Sequence, residues 1–244
     1  MTDERNFRSS YYEKVGCRGV EEKKSLEILM KEKPWDKVKL KQFCLRFTVP
    51  AAYRNLVWKV LLDLSACILP LRLGYQCSAD TFIPIVNTLL ELYDDEVDVY
   101  WLAKSLTDVV RNMQRELPKL KEAFITMLEK EDGDVFNHLV DISALEVLPL
   151  TKWFNCCFAG VLDDTSLTKI WDKVCSGAPK ILSFAAVMLV ITLRRNILRS
   201  KHSDEVLKCV SQIPEQCEEV VANKAIELWQ YYGAQPQNDT LAKK

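Results

Sequence analysis

The stretch KWFNCCFAGVLDDTSLTKIWDKVCSG, residues 152–177, reads as two helices with their stop and start signals in place. Gly160 and Gly177 sit where the two helices should stop, since glycine accepts the left-handed conformation that closes a helix. Asp163 stands where the second should begin, with a carboxylate able to accept the orphan N–H groups of a first turn. The spacing predicts helices over 150–159 and 164–176. Trp153 and Trp171 are expected as packing anchors, each burying a large area and giving its N–H to one acceptor. Asp172 is a lone carboxylate without a base beside it. It is expected to bond a nearby backbone or side-chain group rather than to catalyse.

The same pattern runs outward in both directions. Helical spacing predicts further helices over 20–32, 35–46, from Pro50 through 64, 82–93, 95–115, 118–131, 134–144, 180–199, 204–212 and 215–232. Leu26, Leu29 and Met30 fall on one side of the first of these with Val20. Trp35, Val38, Phe43 and Leu45 are expected to face a core, as are Tyr53, Leu56, Val57, Val60, Leu61 and Leu64. Pro118, Pro149, Pro179 and Pro214 lie at helix starts, where the missing N–H has no partner to lose. Gly133 is read as a stop and Ser203 as a start. Apolar–polar alternation of the strand type is hard to find, and glycine occurs only seven times. The fold class expected is all-α, with about a dozen helices and no internal repeat.

Composition narrows the function. The 33 basic and 34 acidic residues leave a net charge of −1, which argues against nucleic acid as a partner and against a polybasic membrane patch. The six tryptophans are spread one per helix, unlike a base-stacking strip. The longest apolar run, 181–193, is flanked by Lys180 and Arg194 and is shorter than the ~20 residues a transmembrane helix needs. It reads as a helix buried on all sides. The nine cysteines form no C-x-x-C pair and only two histidines accompany them, so no metal site and no cofactor is expected. They read as reduced thiols in a cytoplasmic protein.

Three stretches together resemble TBC domains, the all-helical fold of many Rab GTPase-activating proteins. YRNLVWKVLL (53–62) is similar to the family's opening signature, DVYWLAKSL (98–106) to a central helix, and 152–177 to the region carrying its W-F…I-W-D string. A fourth stretch, NFRSSYYEKVGCRGVEEKKSLEILMK (6–31), is similar to one branch of that family, the small third subunits of the tuberous sclerosis complex. The resemblance implies a TBC-like helical domain over 11–232, between disordered ends at 1–10 and 233–244. Within it, Trp58 and Trp171 are expected in the core, and Arg54 is expected to pack its stem and pair with an acid.

Active TBC domains supply two fingers to a bound GTPase, an arginine in I-x-x-D-x-x-R and a glutamine in Y-x-Q. An arginine finger given in trans is worth about 10³–10⁵ in rate. The sequence contains no I-x-x-D-x-x-R. In LRLGYQCSAD (71–80), Tyr75 and Gln76 are adjacent, so Y-x-Q is not intact. With the register kept from Tyr75, Cys77 stands at the glutamine's position; with one residue deleted Gln76 fits, followed by Asp80 and Pro84 as in the family's pattern, but displaced and turned. A thiol cannot orient water as an amide does. Arg72 and Gln76 project from one short segment, whereas the family's fingers come from two. The chain between Trp58 and Ser78 also looks short for the family. The resemblance therefore implies a non-catalytic member with no catalytic residues, and an active Rab GTPase-activating protein or an unrelated helical adaptor as alternatives.

FIPIVNTLLELY (82–93) offers a different use. Its apolar residues sweep about half the circumference, more than the ≳100° stripe that a surface helix needs. Asn87 and Glu91 mark the polar side, with Thr88 near it. Phe82, Val86, Leu89, Leu90 and Tyr93 are the candidate partner-binding residues. The family branch implies the partner: the hamartin coiled coil, with tuberin, at a lysosome or vesicle surface, and possibly a small GTPase of the Rab or Rheb type.

Overall fold

The computed structural model describes residues 20–31, 35–62 and 79–233, which contain α-helices, two short non-α turns of helix and no strand. The helices are α1 (Val20–Lys31), α2 (Lys37–Arg46), α3 (Ala51–Leu61), α4 (Ala79–Leu92), α5 (Glu96–Met113), α6 (Leu117–Glu131) and α7 (Gly133–Asp141). They continue as α8 (Leu150–Asn155), α9 (Asp164–Cys175), α10 (Ile181–Thr192), α11 (Arg194–Ile197), α12 (Ser203–Ser211) and α13 (Glu215–Leu228). A π-helical turn, Trp229–Gly233, ends the described chain. It includes Gly233, which the sequence reading had placed in a disordered tail. The other residues expected to be disordered, 1–10 and 234–244, lie outside the described residues.

The core forms around α10. Ile181 through Val187 are buried without a break, as are Leu189 and Val190, so the apolar run is an interior helix. Helices α6, α9 and α13 pack around it. Its one interior hydroxyl is satisfied: Ser183 Oγ donates to Leu120 O on α6 at 2.8 Å. Four tryptophans hand their N–H groups to single acceptors. Trp35 donates to Met30 O, Trp58 to Asp172, Trp171 to Cys157 O and Trp229 to Leu45 O, all within 3.0 Å. An unpaired indole N–H would cost free energy in a dry interior, which is why each finds a partner.

Helix ends follow the capping chemistry. Asp36, Asp95 and Asp163 each accept first-turn N–H groups as N-caps. Asp132 joins two helices by itself. Its N–H donates to Leu128 O, its Oδ1 accepts from Val135 N, and its Oδ2 accepts from Arg194 on α11 at 2.7 Å. Gly133 therefore opens α7 rather than stopping α6. The expected 150–159 helix is also shorter, because Cys157 and Phe158 adopt left-handed φ values of 48° and 65° before Gly160 at 71°. That turn stacks Phe158 on Trp153 at a centroid distance of 5.7 Å. Non-glycine residues held left-handed cost about 1–3 kcal/mol each, here offset by packing.

Two inward assignments change. Val38 is exposed, and the buried row of α2 is Leu40, Phe43 and Cys44. Leu56 also points outward, because Arg54 takes the inward position on α3.

Buried thiols set the alkaline limit. Burial pushes Cys44 up to about 12 and raises Cys157 and Cys175 well above the ordinary thiol range. A folded-state pKa above the unfolded one gives stability that is intact below the unfolded value and lost as pH rises toward the folded one. Urea denaturation should therefore show stability falling above pH ~9, with the fall lessened in a Cys44→Ala, Cys175→Ala variant.

Candidate functional site

Two features bear on function: a charged group deep inside α9, and the outer face of α4. Asp172 on α9 is fully buried. Its carboxylate accepts from Val49 N at 2.8 Å, Trp58 Nε1 at 3.0 Å and Arg54 Nε at 3.1 Å. Arg54 also donates to Val49 O. Four donors thus surround one acid, counting the longer 3.5 Å contact from Arg54 Nη2. One turn further on, Ser176 Oγ donates to the main-chain carbonyl of Asp172. The rings of Trp58 and Trp171 lie 5.9 Å apart over this group, and Tyr93 meets Trp58 edge-on at 6.4 Å.

The next residue, Lys173, is also fully buried. Its Nζ donates to Cys44 O at 2.5 Å and Phe47 O at 2.7 Å, capping the C-terminal end of α2. That end carries negative partial charge, so a cation is favoured there. Burial nevertheless lowers the lysine to about 8, against the raising influence of Asp172. Nothing in the sequence marked Lys173, since lysine is ordinarily a surface residue. Asp172 and Lys173 grip the segment between α2 and α3 from adjacent positions. The expected roles of Arg54, Trp58, Trp171 and Asp172 are met: this chemistry holds helices together and has no open face for a substrate.

The opposite situation holds on α4. Ile85, Thr88 and Leu89 form its buried row, against α5 and α9. Ile83 and Leu90 are 53% and 47% exposed, and Asn87 and Glu91 share their face. Phe82, Val86 and Tyr93 are half-buried along the border between the two faces. Of the five candidate residues, only Leu90 is outward. Leu89 is fully in the core and is withdrawn as a contact, because it lies one residue, about 100°, round the helix from Leu90. Thr88, read as polar-side, is buried beside it. Ile83 was not singled out and belongs with Leu90, seven residues on. Pro84 stands inside α4, where it removes the N–H that would reach residue 80.

Asp94 and Asp95 are exposed in the tight connection to α5, and Glu96, Val97 and Tyr100 are exposed on α5 itself. Asp164, at the start of α9, has its carboxyl raised by burial and then by nearby Glu91. The apolar strip is thus bordered by acidic groups at one end. Arg72, Tyr75, Gln76 and Cys77, the residues weighed against the finger motifs, lie outside the described residues. Among the described residues no group of histidine, cysteine and carboxylate side chains is placed to hold a metal ion.

The comparisons with known proteins agree with this architecture. A family model for the Rab-GTPase-TBC domain matches residues 79–198. TBC1 domain family member 7 of Homo sapiens is 35% identical over 289 residues, taking in 97% of this chain and 99% of that protein. This chain belongs to the TBC domain family. The TBC1 domain family member 7 of Xenopus tropicalis is 36% identical over 281 residues, 93% of this chain and 94% of that protein. An alignment of 289 residues against a chain of 244 must open gaps in this chain, in keeping with the shortness noted above. The fold matches the Ypt/Rab-GAP domain of Gyp1p with a TM-score of 0.56 at 13% identity, over 87% of this chain and 98% of that one. A Chlamydomonas flagellar RabGAP TBC domain matches equally well, at 16% identity over 86% and 89%. The Asp172 cluster joins two of the stretches that resemble the family, 53–62 and 152–177.

Removing one partner from a buried ion pair costs about 3–5 kcal/mol. Asp172→Ala should lose that much in urea denaturation, because it strands Arg54 and Trp58. Lys173 reverses the usual sign: a depressed folded pKa means the penalty of burying its charge is relieved as pH rises from about 8 toward the ordinary lysine value. The stability of the native protein relative to Lys173→Met should therefore grow over that window. On α4, Leu89→Glu should destabilise by more than about 3 kcal/mol, and Ile83→Glu or Leu90→Glu by about 0.5 kcal/mol or less.

Proposed function

We propose that the chain is a non-catalytic TBC-domain subunit that binds the hamartin coiled coil and stabilises the hamartin–tuberin complex. In that role it supports the complex's activation of GTP hydrolysis by Rheb, and so restrains TOR signalling, from a cytoplasmic pool recruited to lysosome or vesicle surfaces. The observation that carries this reading is the outward apolar pair of α4, Ile83 and Leu90, with Phe82 and Val86 half-buried beside them where they also pack against the core. An amphipathic helix reads as i, i+3, i+4, i+7 anchors on such a strip. The likeness to TBC1 domain family member 7 over nearly the whole chain supports the same assignment.

The absence of I-x-x-D-x-x-R and the broken Y-x-Q favour a role without fingers. Arg54 is not a substitute, because its guanidinium is spent on Asp172 and Val49. A lost arginine finger corresponds to roughly 4–7 kcal/mol of barrier. A fold shared with Rab-GAP domains favours a second reading, an active Rab GTPase-activating protein.

Two measurements separate these. A C-terminal coiled-coil fragment of hamartin should raise the melting temperature of the full chain, since ligand that binds only the folded state stabilises it. The double variant Ile83→Glu, Leu90→Glu should keep its own melting temperature and lose the shift; a shift that persists places the partner elsewhere. Single-turnover GTP hydrolysis over a Rab panel should show no acceleration. An increase of ~10³-fold would establish the second reading.

A further inference from the structure

A second feature lies where α10 gives way to α11. Thr192, Arg194, Arg195, Leu198 and Arg199 line an open concavity of about 690 Å³. The three guanidinium groups do not have the same status. Arg194 is pinned, its Nε on Asp132 and its Nη2 on Asp134, both at 2.7 Å. Arg195 and Arg199 are exposed and have no carboxylate partner among the described residues. Arg195 lies on α11 and Arg199 two residues past its end, and both of these like charges line the same concavity. Lys201 and His202 follow, exposed, and the stretch 194–202 contains no acid.

We propose that this concavity binds a phosphate-bearing ligand. Arginine presents its donors in a planar fork that pairs two oxygens at once, and two free forks beside one another suit a group with several equivalent oxygens. Thr192 adds a hydroxyl at the wall. The pinned Arg194 holds that wall in place through α7, so the site requires little rearrangement to accept an anion. Acidic side chains stand near this stretch, Asp134 largely exposed beside Arg194 and Glu205 against Lys201 and His202, and like charge weighs against a uniformly anionic surface. The ligand chemistry we assign is a polyphosphorylated head, free in solution or carried by a lipid that projects it.

The site is independent of the α4 face, so its test does not depend on the hamartin reading. Calorimetry of the full chain with inositol hexakisphosphate and with inorganic pyrophosphate, at physiological salt, should show saturable binding. Arg195→Gln with Arg199→Gln should weaken it at least about tenfold, the effect of losing charge-assisted hydrogen bonds, with an unchanged thermal melt. Arg46→Gln with Arg115→Gln, two exposed arginines elsewhere, should leave it intact. Cosedimentation with phosphatidylcholine vesicles containing phosphatidylinositol 4,5-bisphosphate identifies a lipid source; binding of the soluble probes without cosedimentation identifies a free one. No heat at millimolar probe, equal weakening by both double variants, or preference for a polyglutamate peptide over both phosphates would overturn the proposal.

Discussion

One carboxylate organises this molecule. Asp172 sits at zero exposure and is acceptable there only because Val49, Arg54 and Trp58 bring N–H donors to it from the segment around α3. An isolated buried charge would cost several kcal/mol, and pairing brings that cost back toward balance without making the pair a large net stabiliser. Its value is geometric. The acid ties α3 to α9, and Tyr93, just past the end of α4, meets Trp58 edge-on beside it. Lys173 adds a second tie of opposite sign, to the carbonyls of Cys44 and Phe47.

The interior cluster and any surface site of a TBC domain are separate sets of residues. The two sets answer to different demands. Arg54, Trp58, Trp171 and Asp172 are held by the interior, where removing one strands the others. Residues that meet a partner stand at the surface, where a change leaves the interior intact. The surface of α4 and α5 is apolar in part, with Ile83, Leu90, Val97 and Tyr100 outward and acids at the turn between them.

Much of this was legible in the sequence, for identifiable reasons. Helices such as α5, α6 and α9 are long, strongly periodic and capped by aspartate or opened by proline, so their limits were placed within about two residues, the usual scatter of helix ends. The pairing of Arg54 with an acid was also legible, since an arginine among apolar helix positions needs a counter-charge. Side-chain facing was less so. Val38 and Leu56 look like core residues by hydropathy alone, yet they point outward because Leu40 and Arg54 hold the inward positions. On α4 the apolar residues sweep about half the circumference, so periodicity could not separate Leu89 from Leu90; only the packing of α5 and α9 against one side does. Lys173 carried no signal, because its burial follows from helix ends that meet only in the fold.

The junction at Asp132 has a different kind of consequence. With one residue closing α6, opening α7 and binding Arg194, no slack remains in the connection. An inserted residue would rotate α7 by about 100° and advance it by ~1.5 Å. Val135 and Leu139 would swing out of the core and the carboxylate would leave its arginine. Length can vary among TBC relatives in segments between helices that are tied elsewhere, but this corner should hold its residue count wherever the fold persists.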